Sequence, residues 1–595
     1  MLDSFSAKVD AIRTWLADNN YDAFIVPHED EYLGEYIPAH NERLHWLTGF
    51  TGSAGAAVIT HDRAAMFVDG RYTVQVKKQV DGELYEYCHL VEQPPLDWIR
   101  QSLAKDAIIA CDPRMHTANW YQGALTKLAQ QQQLVTVAEN PIDLYWADRP
   151  TPALTDMRLM SIDKVGVSCQ EKRQRIGSVV ADSGADCAVI TALDSVCWLL
   201  NIRGMDVSRL PVLLSHAILH NNGDVQFFIE SSRVNDAFAG HAGAGVSVYS
   251  PEEYGSVLQT LKGKQVSIDP STSNAWLSMT LEQADAKIIA TQDPCALVKA
   301  AKNSVEIEGM KASHIRDGVA MAKFLSWLDS EVSAGKLHDE ATLSDKVQAF
   351  RFEDPNLVDL SFDTISAAGS NAAMCHYNHN NQPESTYLEM NSLYLLDSGG
   401  QYLDGTTDIT RTIAIGHPSS DMINQFTLAL KGHIGVTTAR FPKGTCGHQI
   451  DTLARQHLWA QGYDYDHGTG HGVGHFLSVH EGPQSISKRY VNVPLLPGMV
   501  LSNEPGYYRA DAFGIRIENL ELVVEKETNG DFPVLTFEPL TRCPIDQRNI
   551  NTELLSDAEI AWLNRYHQQV WSDISPLVSG DVKAWLEQAT ATLTR

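Results

Sequence analysis

The chain has 595 residues, of which 46 are Lys or Arg and 74 are Asp or Glu, so its net charge is −28. A chain of this length exceeds an ordinary domain and predicts several folding units. The acidic balance argues against nucleic-acid binding and against docking on anionic lipid, because both depend on basic residues.

The sequence predicts neither a membrane span nor a secretion signal. Its apolar runs fall well short of the roughly 18 residues that a spanning helix needs. The N-terminal residues form an amphipathic pattern of mixed charge, unlike a signal peptide. The nine cysteines are scattered and form no C-x-x-C pair. That spacing is typical of a reducing compartment rather than of a disulfide framework or a zinc knot, so we expect a cytoplasmic protein.

The first 150 residues alternate helical and strand patterns. The patterns predict a helix over residues 4–19, a buried strand over residues 23–26, and a hairpin over residues 56–60 and 65–68. The proline-rich stretch 141–152 then indicates a boundary near Thr155.

The next part of the chain restarts the same scheme. Residues 181–190 (ADSGADCAVI) resemble residues 17–26 (ADNNYDAFIV), since a helix end and a turn precede a buried strand in both. We therefore predict two related α/β domains, over residues 1–155 and 156–305. The alternative is two similar turns that arose by chance.

A long helix is predicted to begin near Ser304, with Glu306 and Glu308 in its first turn to suit the helix dipole. Residues 306–595 are predicted to form one large domain, with a helical extension from about residue 549.

The first of three polar segments covers residues 393–415 and predicts a hairpin or meander with a glycine turn. Asp397 ends the first strand. A period of two places Asp408, Thr410 and Thr412 on one face of the second strand. Buried acids are costly unless they are paired or bind a cation. Taken singly, however, each Asp is also compatible with a turn or a helix cap.

The second segment, HGTGHGVGHFLSVHEGP over residues 467–483, contains four histidines in fourteen residues. It is not an H-E-x-x-H helix, because Gly468 occupies the Glu position and each glycine destabilises a helix by about 1 kcal/mol. It is not a dinucleotide loop either, because Val473 breaks G-x-G-x-x-G. The glycines predict tightly packed backbone with projecting imidazoles, and exposed loop histidines are the alternative.

The third segment combines SNEPGY over residues 502–507 with GIRIENL over residues 514–520. Alternation places Arg516 and Glu518 on one face of a strand, which on its own favours an ion pair between them. Glu504 precedes Pro505, where the strand pattern ends.

Together the three segments supply two Asp, two Glu and at least one His. This donor set suits Mn²⁺, Zn²⁺, Co²⁺ or Fe²⁺. Four carboxylates exceed what one divalent ion needs, and two ions about 3.5–4 Å apart that share a hydroxide are a common arrangement for hydrolysis. The sequence contains no G-x-S-x-G motif, so a covalent mechanism has little support. The residues alone therefore predict a two-metal hydrolase.

The order of these residues along the chain is similar to that of the ligands in the pita-bread metallopeptidases, which include methionine aminopeptidase, prolidase and aminopeptidase P. The matching residues are Asp397, Asp408, His471, Glu504 and Glu518. The surrounding sequences SFDTISAAGSNAAMCHY, LLDSGGQYLDGTTDITRT, HGTGHGVGHFLSVHEGP, LSNEPGYY and GIRIEN resemble the long Xaa-Pro aminopeptidases (aminopeptidase P). The resemblance covers essentially the whole chain. It implies an α/β (α+β) fold with two creatinase-like N-terminal α/β domains followed by a C-terminal pita-bread metallopeptidase domain.

The resemblance also implies a role for each matching residue. Asp408 and Glu518 would bridge two divalent ions, one of them also held by Asp397. His471 and Glu504 would hold the other ion. Mn²⁺ is the expected metal, and Zn²⁺ and Co²⁺ are the alternatives. A bridging hydroxide would attack the carbonyl of an N-terminal Xaa-Pro bond, and Glu504 would act as general acid/base.

Four further residues have implied accessory roles. His376 and His480 would hydrogen-bond the substrate and the tetrahedral oxyanion. His467 would help to form the proline pocket. Arg516 would orient Glu518 or another acid.

The loop after His376 departs from the family pattern. A proline often follows the His-Tyr pair closely in the family, whereas the next proline here is Pro383. His475 and His379 could substitute in the accessory roles.

Two alternatives to an aminopeptidase are considered. A prolidase-type dipeptidase shares the metal site but usually has one N-terminal domain and a shorter chain. A non-catalytic peptide-binding module usually loses the metal ligands, whereas all five are present here. The resemblance implies that the partners are peptides with proline at the second position.

A homodimer is also expected, formed partly through the segment after Arg548. This tail contains more large apolar side chains than a surface segment needs, among them Leu554, Trp562, Leu563 and Tyr566. The alternative is that the tail packs on its own subunit.

Overall fold

The computed structural model describes residue 2 and residues 4–382 and 384–595. Pro383, noted above for its place in the loop, lies outside these ranges. The chain divides into two compact units. The first contains the chain up to Ile162 together with Val167–Ala296, and the second contains Asp163–Gly166 together with Leu297–Arg595.

The first unit contains two six-stranded sheets flanked by helices. The elements of its first half are α1 (Phe5–Asn19), β1 (Ala23–Pro27), α2 (Arg43–Thr48), β2 (Ala56–Thr60), β3 (Ala64–Val68), α3 (Gln75–Gln79), β4 (Glu86–His89), α4 (Pro95–Ser102), β5 (Ile108–Cys111), α5 (Ala118–Leu128), β6 (Gln133–Thr136) and α6 (Pro141–Tyr145). The elements of its second half, including the two helices at which the chain passes between the units, are β7 (Arg158–Leu159), α7 (Ile162–Val165), α8 (Cys169–Asp182), β8 (Cys187–Ile190), α9 (Leu193–Leu199), β9 (Ile202–Arg203), β10 (His216–His220), β11 (Val225–Phe228), α10 (Ala237–Ala242), β12 (Val246–Tyr249), α11 (Tyr254–Gln259), β13 (Gln265–Ile268), α12 (Ala275–Gln283), β14 (Lys287–Ala290) and α13 (Ala296–Ala300).

The two sheets have the same topology. The strand order is β4-β3-β2-β1-β5-β6 in the first sheet and β12-β11-β10-β8-β13-β14 in the second. In each sheet the third strand is antiparallel to both neighbours and the other pairs are parallel. β1 and β8, which arise from the two similar sequence segments, occupy the same position. The shared topology agrees with the predicted pair of related α/β domains, and the bounds of those domains stay a prediction.

The first strands form where the sequence predicts them, for identifiable reasons. Ser4 caps α1 by accepting a hydrogen bond from the backbone N–H of Ala7. Along β1, Phe24 packs into one buried cluster and Ile25 into another, on opposite faces of the sheet. Because helices cover both faces, this strand is a continuous apolar run rather than an alternating one.

Besides its two large sheets, the first unit has the short β7-β9 pair, whereas the second unit contains four other sheets of the described residues and a 30-residue helix. Its helices are α14 (Ser304–Ser333), α15 (Glu340–Arg351), α16 (Ser420–Thr437), α17 (Gly447–Trp459), α18 (Asp557–Ile574) and α19 (Gly580–Ala589). Its strands are β15 (Leu357–Leu360), β16 (Ile365–Ala368), β17 (Ser392–Ser398), β18 (Gly400–Tyr402), β19 (Gly405–Thr406), β20 (Ile409–Ile415), β21 (Arg440–Pro442), β22 (Gly470–Gly472), β23 (Glu481–Ile486), β24 (Val500–Asn503), β25 (Gly506–Arg509), β26 (Phe513–Arg516), β27 (Asn519–Lys526) and β28 (Val534–Pro539). They form the sheets β16-β17-β20, β15-β18-β19, β21-β28-β27-β24-β22-β23 and β25-β26.

The predicted long helix is α14. Asn303 and Glu306 form a capping box at its start, which satisfies backbone N–H groups that would otherwise lack partners. Met321, Phe324 and Leu328 pack into one buried cluster. In the described part of the chain, none of the helices is long and apolar enough to cross a membrane.

Two strand predictions need correction. β17 pairs with β20 as predicted, but the intervening chain forms β18 and β19 in a different sheet. The prediction that Arg516 and Glu518 lie in one strand is wrong, because Glu518 lies in a break between β26 and β27. β26 pairs with β25, whereas β27 pairs with β24 and β28, so the chain changes sheets at this point.

The apolar side chains of the tail also differ from expectation. Trp562, Leu563 and Tyr566 on α18 are buried in a core cluster of their own chain. The alternative that the tail packs on its own subunit therefore holds for these residues. Leu554 and Leu577 remain exposed, at 38% and 55% of their surface.

A buried ion cluster joins Lys299 of α13 and Lys302, which follows α13, to Glu481 of β23. Glu481 accepts a hydrogen bond from Lys299 Nζ at 2.8 Å and also pairs with Lys302 Nζ. The Glu481 side chain is 0% exposed. Two buried ammonium groups therefore contact the same buried carboxylate.

We predict that Glu481→Gln is strongly destabilising, because the amide removes the negative charge that both buried ammonium groups contact. The expected cost is about 3–5 kcal/mol, measured as a lowered midpoint of thermal unfolding. The matched control is Glu525→Gln, which removes the carboxylate of the exposed Lys443–Glu525 pair, where Glu525 is 64% exposed. That control should cost at most about 1 kcal/mol, and equal losses for the two variants would contradict the prediction.

Candidate metal centre

The first two acids are brought together by the pairing of β17 and β20. Asp397 lies in β17 opposite Thr410, and Asp408 directly precedes β20. A Cβ atom on Gly399 would lie 1.9 Å from the Thr407 carbonyl oxygen, so only glycine allows this approach. The Asp397 and Asp408 segments are thus held side by side.

The histidine segment is packed as its glycines predict. A Cβ atom on Gly470 would lie 1.9 Å from the Ser502 carbonyl oxygen, and one on Gly472 would lie 2.2 Å from that of Glu481. β22 therefore lies directly against its neighbours, and His471 between the two glycines projects from it.

Glu504 and Glu518 enter the same site from strand ends. Glu504 follows β24 directly, as predicted, and Glu518 lies between β26 and β27. Ser502 Oγ donates to Glu504 Oε1 at 3.1 Å and accepts the His471 backbone N–H at 2.9 Å. This serine hydroxyl therefore links the segments that carry His471 and Glu504.

Ligand-type atoms converge at this point. Atoms of Asp408, His471 and Glu518 all lie within 4.8 Å of one another. His471 Nε2 is 3.5 Å from Asp408 Oδ2 and 3.6 Å from Glu504 Oε1. His471 Nδ1 lies 2.9 Å from the Gly472 carbonyl oxygen. When Nδ1–H donates to that carbonyl, the lone pair of Nε2 faces the carboxylates, as in metal-bound histidines.

The acids share a low-dielectric environment. Burial, followed by repulsion from Asp408, raises the pKa of Glu518 well above its usual value. Burial likewise raises the pKa of Glu504 to about 7 and also raises the pKa of Asp397, in both cases against the opposing charge of Arg516. For His471, burial lowers the pKa, but the hydrogen bond with Asp408 and the charge of Glu504 outweigh it and raise the pKa to about 9.

These residues fit divalent cations. Among the described residues of this site, three buried carboxylate oxygens have no hydrogen-bond partner: Asp397 Oδ1, Asp408 Oδ1 and Glu518 Oε1. Leaving such atoms uncompensated is costly. Carboxylate oxygens with one imidazole nitrogen are the donors that divalent transition metals take. Cations at this point would compensate both the oxygens and the mutual repulsion of the acids.

Arg516 pairs with a different acid from the nearest one in sequence. Its NH2 group donates to Asp397 Oδ2 at 2.6 Å, not to Glu518. Its NH1 group donates to the Tyr508 hydroxyl at 2.8 Å, and the same hydroxyl lies 2.8 Å from His467 Nε2. Tyr508 therefore connects His467 to Arg516 and, through it, to Asp397.

The remaining predicted histidines occupy distinct positions. The ring centroids of His471 and His480 are 4.3 Å apart. His376 is half-buried, and the preceding Cys375 interacts electrostatically with Tyr508. His475 is buried, and a Cβ atom on Gly309 of α14 would lie 3.1 Å from its Nε2.

Three site residues are not among those proposed from the sequence. Thr410 Oγ1 donates to Glu518 Oε2 at 2.8 Å. The sequence signal for this residue is its predicted position on the same strand face as Asp408. Ser502 is the first residue of the SNEPGY segment and Tyr508 directly follows it, but nothing in their residue type indicates hydrogen bonds to a metal ligand or to Arg516.

Comparisons with known proteins match successive parts of the chain to known families. Residues 308–525 match metallopeptidase family M24, and residues 533–593 match the C-terminal region of that peptidase family. Residues 8–143 and 148–306 each match the creatinase/prolidase N-terminal domain.

Two relatives match this chain over both the N-terminal domains and the peptidase domain. Aminopeptidase P2 of Arabidopsis thaliana is 39% identical over 96% of this chain and 86% of its own. Xaa-Pro aminopeptidase 1 of Dictyostelium discoideum is 37% identical over 97% of this chain and 94% of its own. The crystal structure of an X-prolyl aminopeptidase from Caenorhabditis elegans, described as a cytosolic enzyme with a di-nuclear active site, superimposes with a TM-score of 0.95. It is 32% identical and covers 99% of this chain and 100% of its own.

The fold and the acid-rich site define a metal-dependent peptidase with creatinase-like N-terminal domains and a pita-bread catalytic domain. The chain belongs to metallopeptidase family M24 and, within it, to the aminopeptidase P family. It is an enzyme, and the alternative of a non-catalytic binding module is not supported.

Proposed function

We propose that the protein is an aminopeptidase that hydrolyses the N-terminal Xaa-Pro bond of peptides. The observation that carries the proposal is the convergence of Asp408, His471 and Glu518 within 4.8 Å, beside buried carboxylate oxygens that have no protein partner. The names of the full-length relatives supply the substrate class. A Xaa-Pro dipeptidase from Bacillus anthracis covers 64% of this chain at 23% identity, a likeness of fold alone.

Two divalent ions would fit the donor set, and Asp408 and Glu518 would contribute to holding both of them. Asp397 would hold one ion, and His471 with Glu504 would hold the other. The di-nuclear site of the Caenorhabditis elegans enzyme supports the count of two. The chemistry that such a pair supplies when bound is polarisation of the peptide carbonyl and acidification of water. Mn²⁺ is the proposed metal because oxygen donors outnumber nitrogen, with Zn²⁺ and Co²⁺ as alternatives.

The chain's own residues then orient the substrate and move protons. Glu504, at the end of β24, accepts a proton from the attacking water and transfers it to the proline nitrogen. His480 and His376 donate hydrogen bonds to the substrate and to the oxyanion that develops on its carbonyl. His467 forms part of the proline pocket. Arg516 holds Asp397 in place through their 2.6 Å ion pair.

We also propose a division into three domains, a cytoplasmic location and a homodimer. The domains cover residues 1–155, 156–305 and 306–595, consistent with the ranges of the family matches. The location is supported by the cytosolic relative from Caenorhabditis elegans. Leu577, exposed in the tail, is a candidate contact for the dimer.

The first test of the proposed function is substrate choice. An Xaa-Pro-Yaa tripeptide should be cleaved to free Xaa, and the same peptide with an acetylated N-terminus should resist cleavage. A chelator should abolish the activity, and Mn²⁺ should restore it. Chelator-resistant cleavage, or preference for Xaa-Pro dipeptides over tripeptides, would contradict an aminopeptidase.

A pair of variants tests the roles of the two glutamates. Glu504→Gln should retain the fold and lower kcat by a factor on the order of 10²–10⁴, because a general acid/base is lost. Glu518→Gln should instead lower the number of metal ions per chain, because a neutral amide bridges two cations poorly. The measurements are kcat on an Xaa-Pro tripeptide and metal content by mass spectrometry. If Glu504→Gln keeps more than about a tenth of the wild-type kcat with its metal bound, another group moves the proton.

The homodimer is tested by light scattering. The wild-type protein should have twice the mass of one chain at micromolar concentration, and Leu577→Asp in the tail should shift it towards the monomer. Leu144→Asp is the matched control, because Leu144 is equally exposed, at 56%, but lies in the first unit. A wild-type mass of one chain would rule out the dimer, and dissociation by both variants would remove the tail from the interface.

A further inference from the structure

A buried ion pair on α17 contacts the start of the histidine segment. Arg455 Nε donates to Asp451 Oδ2 at 2.8 Å, one helical turn away. The two side chains are 0% and 2% exposed. A buried pair of this kind contributes little net stability compared with apolar packing, so its contacts need another explanation.

The other two nitrogens of the Arg455 guanidinium bind the chain that leads to His467. NH1 donates to the Tyr465 carbonyl oxygen at 2.6 Å and to Asp464 Oδ1 at 2.8 Å. NH2 donates to the His467 carbonyl oxygen at 2.8 Å. The guanidinium also lies over the Tyr465 ring, 3.8 Å from its centroid. The planar fork of arginine can make all these contacts at once, which a lysine cannot.

The second oxygen of Asp451 leads towards Glu504. Thr469 Oγ1 donates to Asp451 Oδ1 at 2.6 Å and lies 2.6 Å from the Tyr465 hydroxyl. The carbonyl oxygen of Thr469 accepts the backbone N–H of Glu504 at 2.8 Å. Each step from α17 to Glu504 is therefore a covalent link or a short hydrogen bond.

We propose that Asp451 and Arg455 are positioning residues that fix residues 464–469, so that His467 and Glu504 are held in place before substrate binds. They act through two branches. Arg455 fixes the backbone at His467, and Asp451 fixes Thr469 and thereby the backbone N–H of Glu504. The inference rests on the proposed roles of His467 in the proline pocket and of Glu504 as general acid/base.

The two branches predict different kinetic effects. Thr469→Val breaks the link from Asp451 towards Glu504, so kcat should fall about 10- to 100-fold, the usual effect of losing an outer partner of a metal ligand, with little change in KM. The dissociation constant of the metal, measured by competition with a fluorescent chelator, should rise in the same variant. Arg455→Lys keeps a positive charge beside Asp451 but loses the fork, so KM for an Xaa-Pro tripeptide should rise more than kcat falls.

Thr427→Val is the matched control. Thr427 is also buried, donates to the Ile423 carbonyl oxygen at 2.7 Å and accepts the Asn551 N–H at 2.9 Å. It should lower the melting temperature about as much as Thr469→Val while leaving kcat, KM and metal affinity unchanged. Should Thr469→Val not fold, Tyr465→Phe removes only the outer hydrogen bond and should lower kcat by a smaller factor.

The outcomes separate this inference from the proposed function. If the wild-type enzyme does not release the residue before proline, the proposed function is wrong. If the wild-type enzyme does so, but Thr469→Val or its substitute Tyr465→Phe matches the wild type in kcat and metal affinity, the positioning role is overturned. Equal loss of activity in the Thr427→Val control would also overturn it, because the effect would then follow stability alone.

Discussion

The concentration of buried carboxylates at one point is the constraint on which the second unit depends. Asp397, Asp408, Glu504 and Glu518 lie in a region where burial raises the pKa of three of them. Such a cluster persists only with compensating positive charge and hydrogen-bond donors. Arg516 and Thr410 supply part of that compensation from the protein, and the unpartnered oxygens indicate where cations supply the rest.

Sequence alone predicts the features that depend on local patterns. The order of the acids and histidines, the position of Glu504 at a strand end, and the shared face of Asp408 and Thr410 follow from residue type and a period of two. The glycines around His471 predict close backbone packing because a side chain there would collide with neighbouring carbonyl oxygens. The repeated pattern at residues 17–26 and 181–190 likewise predicts equivalent strands in two sheets.

Features set by distant parts of the chain could not be predicted in this way. The partner of Arg516 is Asp397, 119 residues earlier, although Glu518 is only two residues away. The break before β27 depends on which strands pair with β26 and β27, and strand pairing is not encoded in a seven-residue window. The apolar residues of α18 are buried by their own chain, and hydrophobicity does not distinguish that from an interface with a second chain.

The candidate metal ligands come from two separate groups of strands. Asp397 lies in β17 and Asp408 directly precedes β20, both in the β16-β17-β20 sheet, whereas His471 lies in β22 and Glu504 directly follows β24 of the large sheet. A cation bound between them therefore acts as a cross-link between two sheets. Its affinity adds directly to the folding free energy, since the unfolded chain does not preserve the site. Resistance of this unit to proteolysis would accordingly follow the concentration of free metal in the cell.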